Sequence, residues 1–364
     1  MALVVAFVVQ TGAGTIDLPD SLVASDAQIE VLATGRSFCE GPAVAPGGDL
    51  YYTELGTNPT AIYRVRDGGA PALFMEDGGG ANGMVFVDGA LIACRSGNVA
   101  RIDTATGAAT DLITDYNGIT LGSTNDLTMG PDGAMYFTNP NWGSDEPGND
   151  VFRLSSEGVL SRIAEGLNKP NGIEYDPDLG RLYLCVSGDN KVVVTEVGED
   201  GDPGDWRDFV DIDNPDGIEL DRYGNVYAVS FTYARIEVYD PEGVSLGSIA
   251  FRSEGEQFNT TNCTFGWGEK PYLYVTASDR VFRLKMNVQG KRQYNQSQGV
   301  VPRGSSMRIR GNGERATRSA IRIRAATPAS IRPAGAGMYT PAGRVVSPVH
   351  SYCGLSSGVA LIRR

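Results

Sequence analysis

Six residues recur in step along the chain: Glu40, Asn82, Asn125, Asn171, Asp216 and Asn262, separated by 42, 43, 46, 45 and 46 residues. Two are carboxylates and four are carboxamides, so each offers an oxygen and none an imidazole or a thiolate. Brought to one place, such a set suits a hard cation. Ca2+ takes about six to eight oxygen ligands, and two carboxylates match its charge; Mg2+, Mn2+ and Zn2+ are alternatives on the same donors. Other chemistries are thin. The single histidine, His350, stands close to the C-terminus, so the residues before it can build neither a Ser-His-Asp triad nor an imidazole zinc site. Of five cysteines none forms a C-x-x-C pair. Cys39 and Cys263 adjoin ring positions and read as a packed or disulfide-linked pair, because no histidine can activate either as a nucleophile.

The elements that must position these residues form a repeat. Six segments share one phase: CEGPAVAPGGDLYYTE from Cys39, ANGMVFVDGALIAC from Ala81, TNDLTMGPDGAMYFTNP from Thr124, PNGIEYDPDLGRLYLCVS from Pro170, PDGIELDRYGNVYAVSF from Pro215 and TNCTFGWGEKPYLYVTA from Thr261. Each has a polar acid or amide, a short apolar run, a Gly/Asp/Pro turn and a second run rich in Tyr and Val. A unit of this length matches a four-stranded propeller blade. Pieces between the units, AIYRVRDG from Ala61, VFRLSSEG from Val151, RIEVYDPEG from Arg235 and RVFRLKM from Arg280, alternate and end in turn residues as further strands do. The 47 glycines, about twice the usual share of roughly 7%, fit many short strands. The pattern predicts an all-β, six-bladed β-propeller over residues 28–288, closed by the IEVLAT run from Ile29 joining the last blade. The six phase-setting residues then gather at one end of the central channel. Taken singly, Asn-Gly and Asp-Gly read as β-turn signals. Glu40, a poor turn residue at the same phase, speaks for a common function.

Charge divides the chain. The formal net charge is −13, yet Lys291 to Arg364 hold 13 basic residues and one acidic residue, Glu314, which leaves residues 1–290 near −25. The acidic part should repel nucleic acid and attract cations. Residues 289–364 read as a low-complexity, Arg-rich, disordered tail: a nucleic-acid or acidic-partner arm, since Arg clusters bind phosphate, or else a dispensable extension or codons read out of frame. Residues 1–27 read as a flexible leader. Met1–Val9 is apolar but too short to span a bilayer and has no preceding basic residue, so no membrane span is expected. A soluble, cytoplasmic protein is expected, with export through a signal peptide as the alternative.

The motifs together resemble the senescence-marker protein/gluconolactonase family, which includes regucalcin and bacterial gluconolactonases, over roughly residues 29–287. The segments that carry the resemblance are EGP at Glu40, STND at Ser123, YFTNPNWG at Tyr136, KPNGIEYDP at Lys169, NPDGIELDRYGNVY at Asn214 and TTNCTFG at Thr260. The resemblance implies a divalent metal held by Glu40, Asn171 and Asp216, with Asn125 touching substrate or completing the metal site. Two positions depart from the family pattern: Ser123 stands where regucalcin-like members have Arg, and Asn139 where bacterial members usually have Asp. The implied activity is metal-dependent opening of a small lactone, most simply a sugar lactone. Asp216 would serve as ligand and general base, with Asp126 an alternative base. Ser123, Asn125, Asn141 and Trp142 would meet the substrate, and Asn82 and Asn262 are possible extra ligands. A phosphotriesterase on the same metal, or a propeller that binds calcium or a partner without catalysis, are the competing readings.

Overall fold

Each repeat unit supplies two strands, and the alternating pieces that follow supply two more. In the computed structural model, which describes residues 7–11, 14–66, 68–143, 148–253, 255–269 and 271–292, these become six four-stranded antiparallel sheets arranged as the blades of a propeller. The innermost strands are Cys39–Val44, Met84–Val87, Leu127–Met129, Pro170–Asp176, Pro215–Leu220 and Thr260–Phe265, one for each of blades 1 to 6. Each packs against the inner strand of the next blade, and blade 6 packs against blade 1, so the ring closes. Four of the six inner strands are buried at every residue but at most one, because neighbouring blades cover both faces.

Closure follows the expected scheme. Glu30–Ala33 pairs antiparallel with Arg280–Lys285 and becomes the outer strand of blade 6. Two ends of a long chain are thereby held in one sheet, which leaves no unpaired edge inside the ring.

The folded body extends beyond residues 28–288 at both ends. Gly14–Leu18, placed within the leader by its sequence, adds a fifth strand to blade 5 through Thr15, Ile16 and Asp17 opposite Ala250, Ile249 and Ser248, and Phe7–Thr11 adds a sixth. Ile16, Leu18, Leu22, Val23 and Ala27 then fill the cluster between blades 5 and 6 around Phe251, Phe258 and Phe282. Burial of that apolar set, which a flexible leader would leave in water, is the physical reason for the difference. Gln289–Arg292 likewise pack on the propeller. The readings for 293–364, His350 and the arginine-rich stretch among them, lie outside the described residues, as does most of the Met1–Val9 segment. Among the described residues no helix is long and apolar enough to cross a membrane.

Candidate metal centre at the channel mouth

Five of the six phase-setting residues share a backbone device, and in blade 6 Thr261 takes the place that the repeat assigned to Asn262. In blade 1, Glu40 lies opposite Thr53 while Ala43 lies opposite Tyr51, so the inner strand carries one extra residue between these pairs. The same one-residue excess falls between Pro170 and Ile173, Pro215 and Ile218, and Thr260 and Asn262. Blades 2 and 3 show it in their hydrogen bonds: Asn82 N–H and Gly83 C=O both pair with Cys94, and Asn125 N–H and Asp126 C=O both pair with Thr138. Six β-bulges in register are the result. A bulge re-aims a side chain and sharpens the local twist, so Glu40, Asn82, Asn125, Asn171 and Asp216 turn at the same level with Thr261, while Asn262 falls one residue further along, beside Gly217 and at the level of Asp126. The Asn-Gly and Asp-Gly pairs are therefore bulge residues and not β-turns.

Glycine after the ring residue answers a different need from turn geometry. A Cβ on Gly172 would stand 2.3 Å from the Asp216 carbonyl oxygen, one on Gly83 2.6 Å from that of Asn125, and one on Gly217 2.2 Å from Asn262 Oδ1. Gly41 would meet the Asn82 carbonyl in the same way and also has a φ of +46°. Each bulge leans on the next blade with no room for a side chain.

Glu40, Asp216 and Asp126 lie near enough to one another for their charges to interact. Glu40 is 4% exposed; burial first, and then the charge of Asp216, hold its carboxyl well above the usual range, although Gly41 N–H donates to its Oε2 at 3.1 Å. Asp216, partly open to the channel, is also held well above its usual value by burial and by Asp126, against the amide of Asn171, which donates to it. Burial pushes Asp126 up to about 6, opposed by the Leu127 and Ile173 N–H groups, the Arg292 guanidinium and the Asn262 amide. The groups acting on Glu40 and Asp216 are thus carboxylates, an amide and a backbone N–H, with no basic side chain among them.

The amides take different roles. Asn171 Nδ2 donates to Ser187 Oγ at 3.1 Å, and Ser187 Oγ donates its own proton to the Pro215 carbonyl at 2.5 Å. With that proton committed, Ser187 can only accept from Asn171. The amide orientation is set by this chain of bonds, with nitrogen toward Ser187 and Asp216 and Oδ1 left for another partner. Ser187 was not visible as a site residue in the sequence, because the bond depends on Pro215 of the next blade. Asn262 is engaged on both sides: Oδ1 accepts from Cys263 N–H at 2.8 Å and its amide donates to Asp126. Asn82 and Asn125 stand at the equivalent bulges of blades 2 and 3. Ser123 precedes Asn125 and bridges Ser96. Asn141 and Trp142 lie beyond the end of Met135–Asn139; Trp142 is 46% exposed, with the Lys169 ammonium 5.6 Å from its ring centre.

The donor chemistry fits a divalent cation: two carboxylates, Glu40 buried and Asp216 partly open, without a basic partner, and a neutral oxygen held in place. Among the described residues no three His, Cys, Asp or Glu side chains are grouped to hold a metal ion, so a cation here must draw on amide oxygens as well. Among the described residues the thiols serve packing and not chemistry. Cys39, Cys94, Cys185 and Cys263 are free and buried, and burial raises all four. Cys39 and Cys263 belong to separate core clusters, so the disulfide reading of that pair does not hold. Cys94 stands opposite its bulge as Thr53, Thr138 and Thr276 do opposite theirs, and Cys185 lies between Leu184 and Val186, whose pairings flank the bulge of blade 4.

A family model described as SMP-30/Gluconolactonase/LRE-like region matches residues 38–279. A gluconolactonase of Zymomonas mobilis subsp. mobilis is 30% identical over 312 residues, 74% of this chain and 85% of that protein. The solved structure of a gluconolactonase from Xanthomonas campestris is 26% identical with a TM-score of 0.66, covering 78% of this chain and 99% of that one. A regucalcin of Agrobacterium tumefaciens, 18% identical with a TM-score of 0.61 over 72% of this chain and 94% of that one, shares the fold. The six bulged blades and the sequence match agree, and the chain belongs to the SMP-30/gluconolactonase/LRE-like family.

Proposed function

We propose that the protein is a hydrolase that opens a small lactone, most simply a sugar lactone, with a divalent cation held by Glu40, Asn171 and Asp216. The observation that carries this reading is the pair of carboxylates at the channel mouth, each held above its usual range by desolvation and neither balanced by a basic side chain. The gluconolactonases among its relatives support the lactone. Bound there, the cation would act as a Lewis acid toward the lactone carbonyl and favour negative charge on its oxygen. Ca2+ suits the all-oxygen set best, and Mg2+, Mn2+ and Zn2+ are compared with it in the test.

The chain's residues divide the remaining work. Glu40 and Asp216 supply two negative charges, and Asn171 presents Oδ1 in an orientation fixed by Ser187. Asn125 orients the substrate, with Ser123, Asn141 and Trp142 toward the rim. Attack requires a water to lose a proton. Asp216 is the first acceptor; Asp126, pushed up to about 6 and so ionised at neutral pH, is the second. Water adds to the carbonyl carbon, the ring C–O bond breaks, and the product is a hydroxy acid whose ionisation releases a proton.

That proton is the assay. A pH indicator with gluconolactone as substrate should report turnover that a chelator abolishes, that one of the four ions restores best, and that Asp216→Ala removes. Metal binding without turnover on any lactone would overturn the enzyme reading, and turnover indifferent to chelator would overturn the metal.

A further inference from the structure

Below the ring lies a second acidic level. Glu174 and Glu219 occur three residues after Asn171 and Asp216 on the same inner strands, 5% and 2% exposed. Glu219 Oε2 accepts from Thr264 Oγ1 at 3.1 Å and its Oε1 from Leu220 N–H at 3.0 Å. Two buried carboxylates so placed, with Asp126 above them, would be costly to ionise alone. Here, unlike at the mouth, the chain provides a cation.

It comes from the far end of the sequence. After the last strand of blade 6, Arg222 N–H donates to the Gln289 carbonyl at 2.8 Å and Gly290 bridges Asp221, so the chain crosses the end of the blade 5 inner strand. Lys291, 3% exposed, pairs with Asp178 at 2.9 Å and Asp176 at 3.4 Å at the end of the blade 4 inner strand. Arg292 then reaches inward. Its Nη2 lies 3.0 Å from Glu174 Oε2, the side chain is 19% exposed, and its charge is felt by Glu174, Glu219 and Asp126. The guanidinium thus pairs directly with Glu174 of blade 4, its charge reaches Glu219 of blade 5 and Asp126 of blade 3, and Lys291 fixes the segment that delivers it.

We infer that the lower level of the channel is a second cation site that the chain fills with Arg292, closing it to metal ions, and that vacating it lets a divalent cation bind between Glu174 and Glu219. The acids there are the same hard oxygen donors as at the mouth. What distinguishes the levels is the resident guanidinium. The first two residues of the basic region are on this account part of the channel's construction.

The inference concerns the lower level and can be tested whether or not the mouth is the metal site of the proposed reaction. Calcium stoichiometry is measured by titration calorimetry on the full chain, its Arg292→Gln variant and the Arg292→Gln/Glu174→Gln double variant. Arg292→Gln should bind one more Ca2+ per chain than the parent, and the double variant should lose that extra ion. In chelator, Arg292→Gln should melt roughly 10 °C lower, and the second substitution should recover much of the loss by removing the unpaired charge. A parent that binds no calcium while Arg292→Gln binds one would defeat the mouth assignment and leave this inference standing. Equal stoichiometry in the parent and Arg292→Gln would overturn it. If Arg292→Gln does not fold, a double variant that is no more stable than it overturns the inference equally.

Discussion

Replacing Gly172 by alanine tests whether the ring depends on contact between blades. The residue's φ is not in the left-handed region, so alanine is compatible with the local backbone. The obstacle is the neighbouring blade: the new Cβ would stand 2.3 Å from the Asp216 carbonyl oxygen and 2.8 Å from Gly217 Cα, where contacts under 3.0 Å essentially never occur. The backbone of Asp216 would have to withdraw by about 0.7 Å, whereas ligand distances at a metal site tolerate only about 0.2 Å. Overpacking of this kind costs about 1–3 kcal/mol, a Tm fall of roughly 3–10 °C in a domain this large. Calcium affinity should fall at least about tenfold, equivalent to 1.4 kcal/mol. Thermal unfolding in chelator and calorimetric titration with Ca2+ separate the two effects. Gly107→Ala is the control: its φ is +73° with nothing within 4 Å, so alanine should cost about 1–2 kcal/mol of stability and no affinity. Wild-type calcium affinity in Gly172→Ala would refute the argument that blade contact sets the site.

Other substitutions address the charges and their supports. Asp216→Asn should raise the melting temperature in chelator, because it removes one of two neighbouring carboxylates held above their usual range, and should abolish the rise on adding calcium, about 2.7 kcal/mol at a hundred times Kd for the parent. Ser187→Ala frees the Asn171 amide to turn and should weaken calcium binding about tenfold or more, with Asn171→Ala in the same background adding little; full additivity would disprove the coupling. The pH dependence has a definite sign. Glu40, Asp216 and Asp126 are raised in the folded chain, so it holds protons that the unfolded chain has lost, and their contribution to stability in chelator falls as pH rises above about 4, for Asp126 through about 6. Calcium must displace those protons, so the gap in Tm between loaded and chelated protein should widen from pH 4 to pH 7. A constant gap would contradict it.

Much of the fold was legible in the sequence because it is a repeat. The phase of Glu40, Asn82, Asn125, Asn171, Asp216 and Asn262 gave six blades, and the IEVLAT run gave the closing strand, since both rest on periodicity. What escaped depends on distant partners. Gly14–Leu18 is five residues long and gains its place from Ala250 and Ile249, more than two hundred residues away. Lys291 and Arg292 were submerged in the composition of the region they begin, although two residues decide how the channel is filled. The Asn-Gly pairs carried two readings that sequence could not separate, because a bulge glycine and a turn glycine look alike until the neighbouring backbone is in place.

The site owes its geometry to symmetry and its chemistry to departures from it. Six bulges present Glu40, Asn82, Asn125, Asn171, Asp216 and Thr261 at one level, and six carboxylates there would repel one another beyond what any single cation could offset, while six amides would lack the charge to hold one. Only blades 1 and 5 carry an acid. The amides between and beside them are then free for unequal work: Asn171 is pinned by Ser187 with its oxygen available, whereas Asn262 spends its oxygen on Cys263 N–H and its nitrogen on Asp126. Asp126, in turn, feels both the carboxylates above and the guanidinium of Arg292 below. Substitution of Arg292 should therefore reach the mouth through one carboxylate, by charge and without contact.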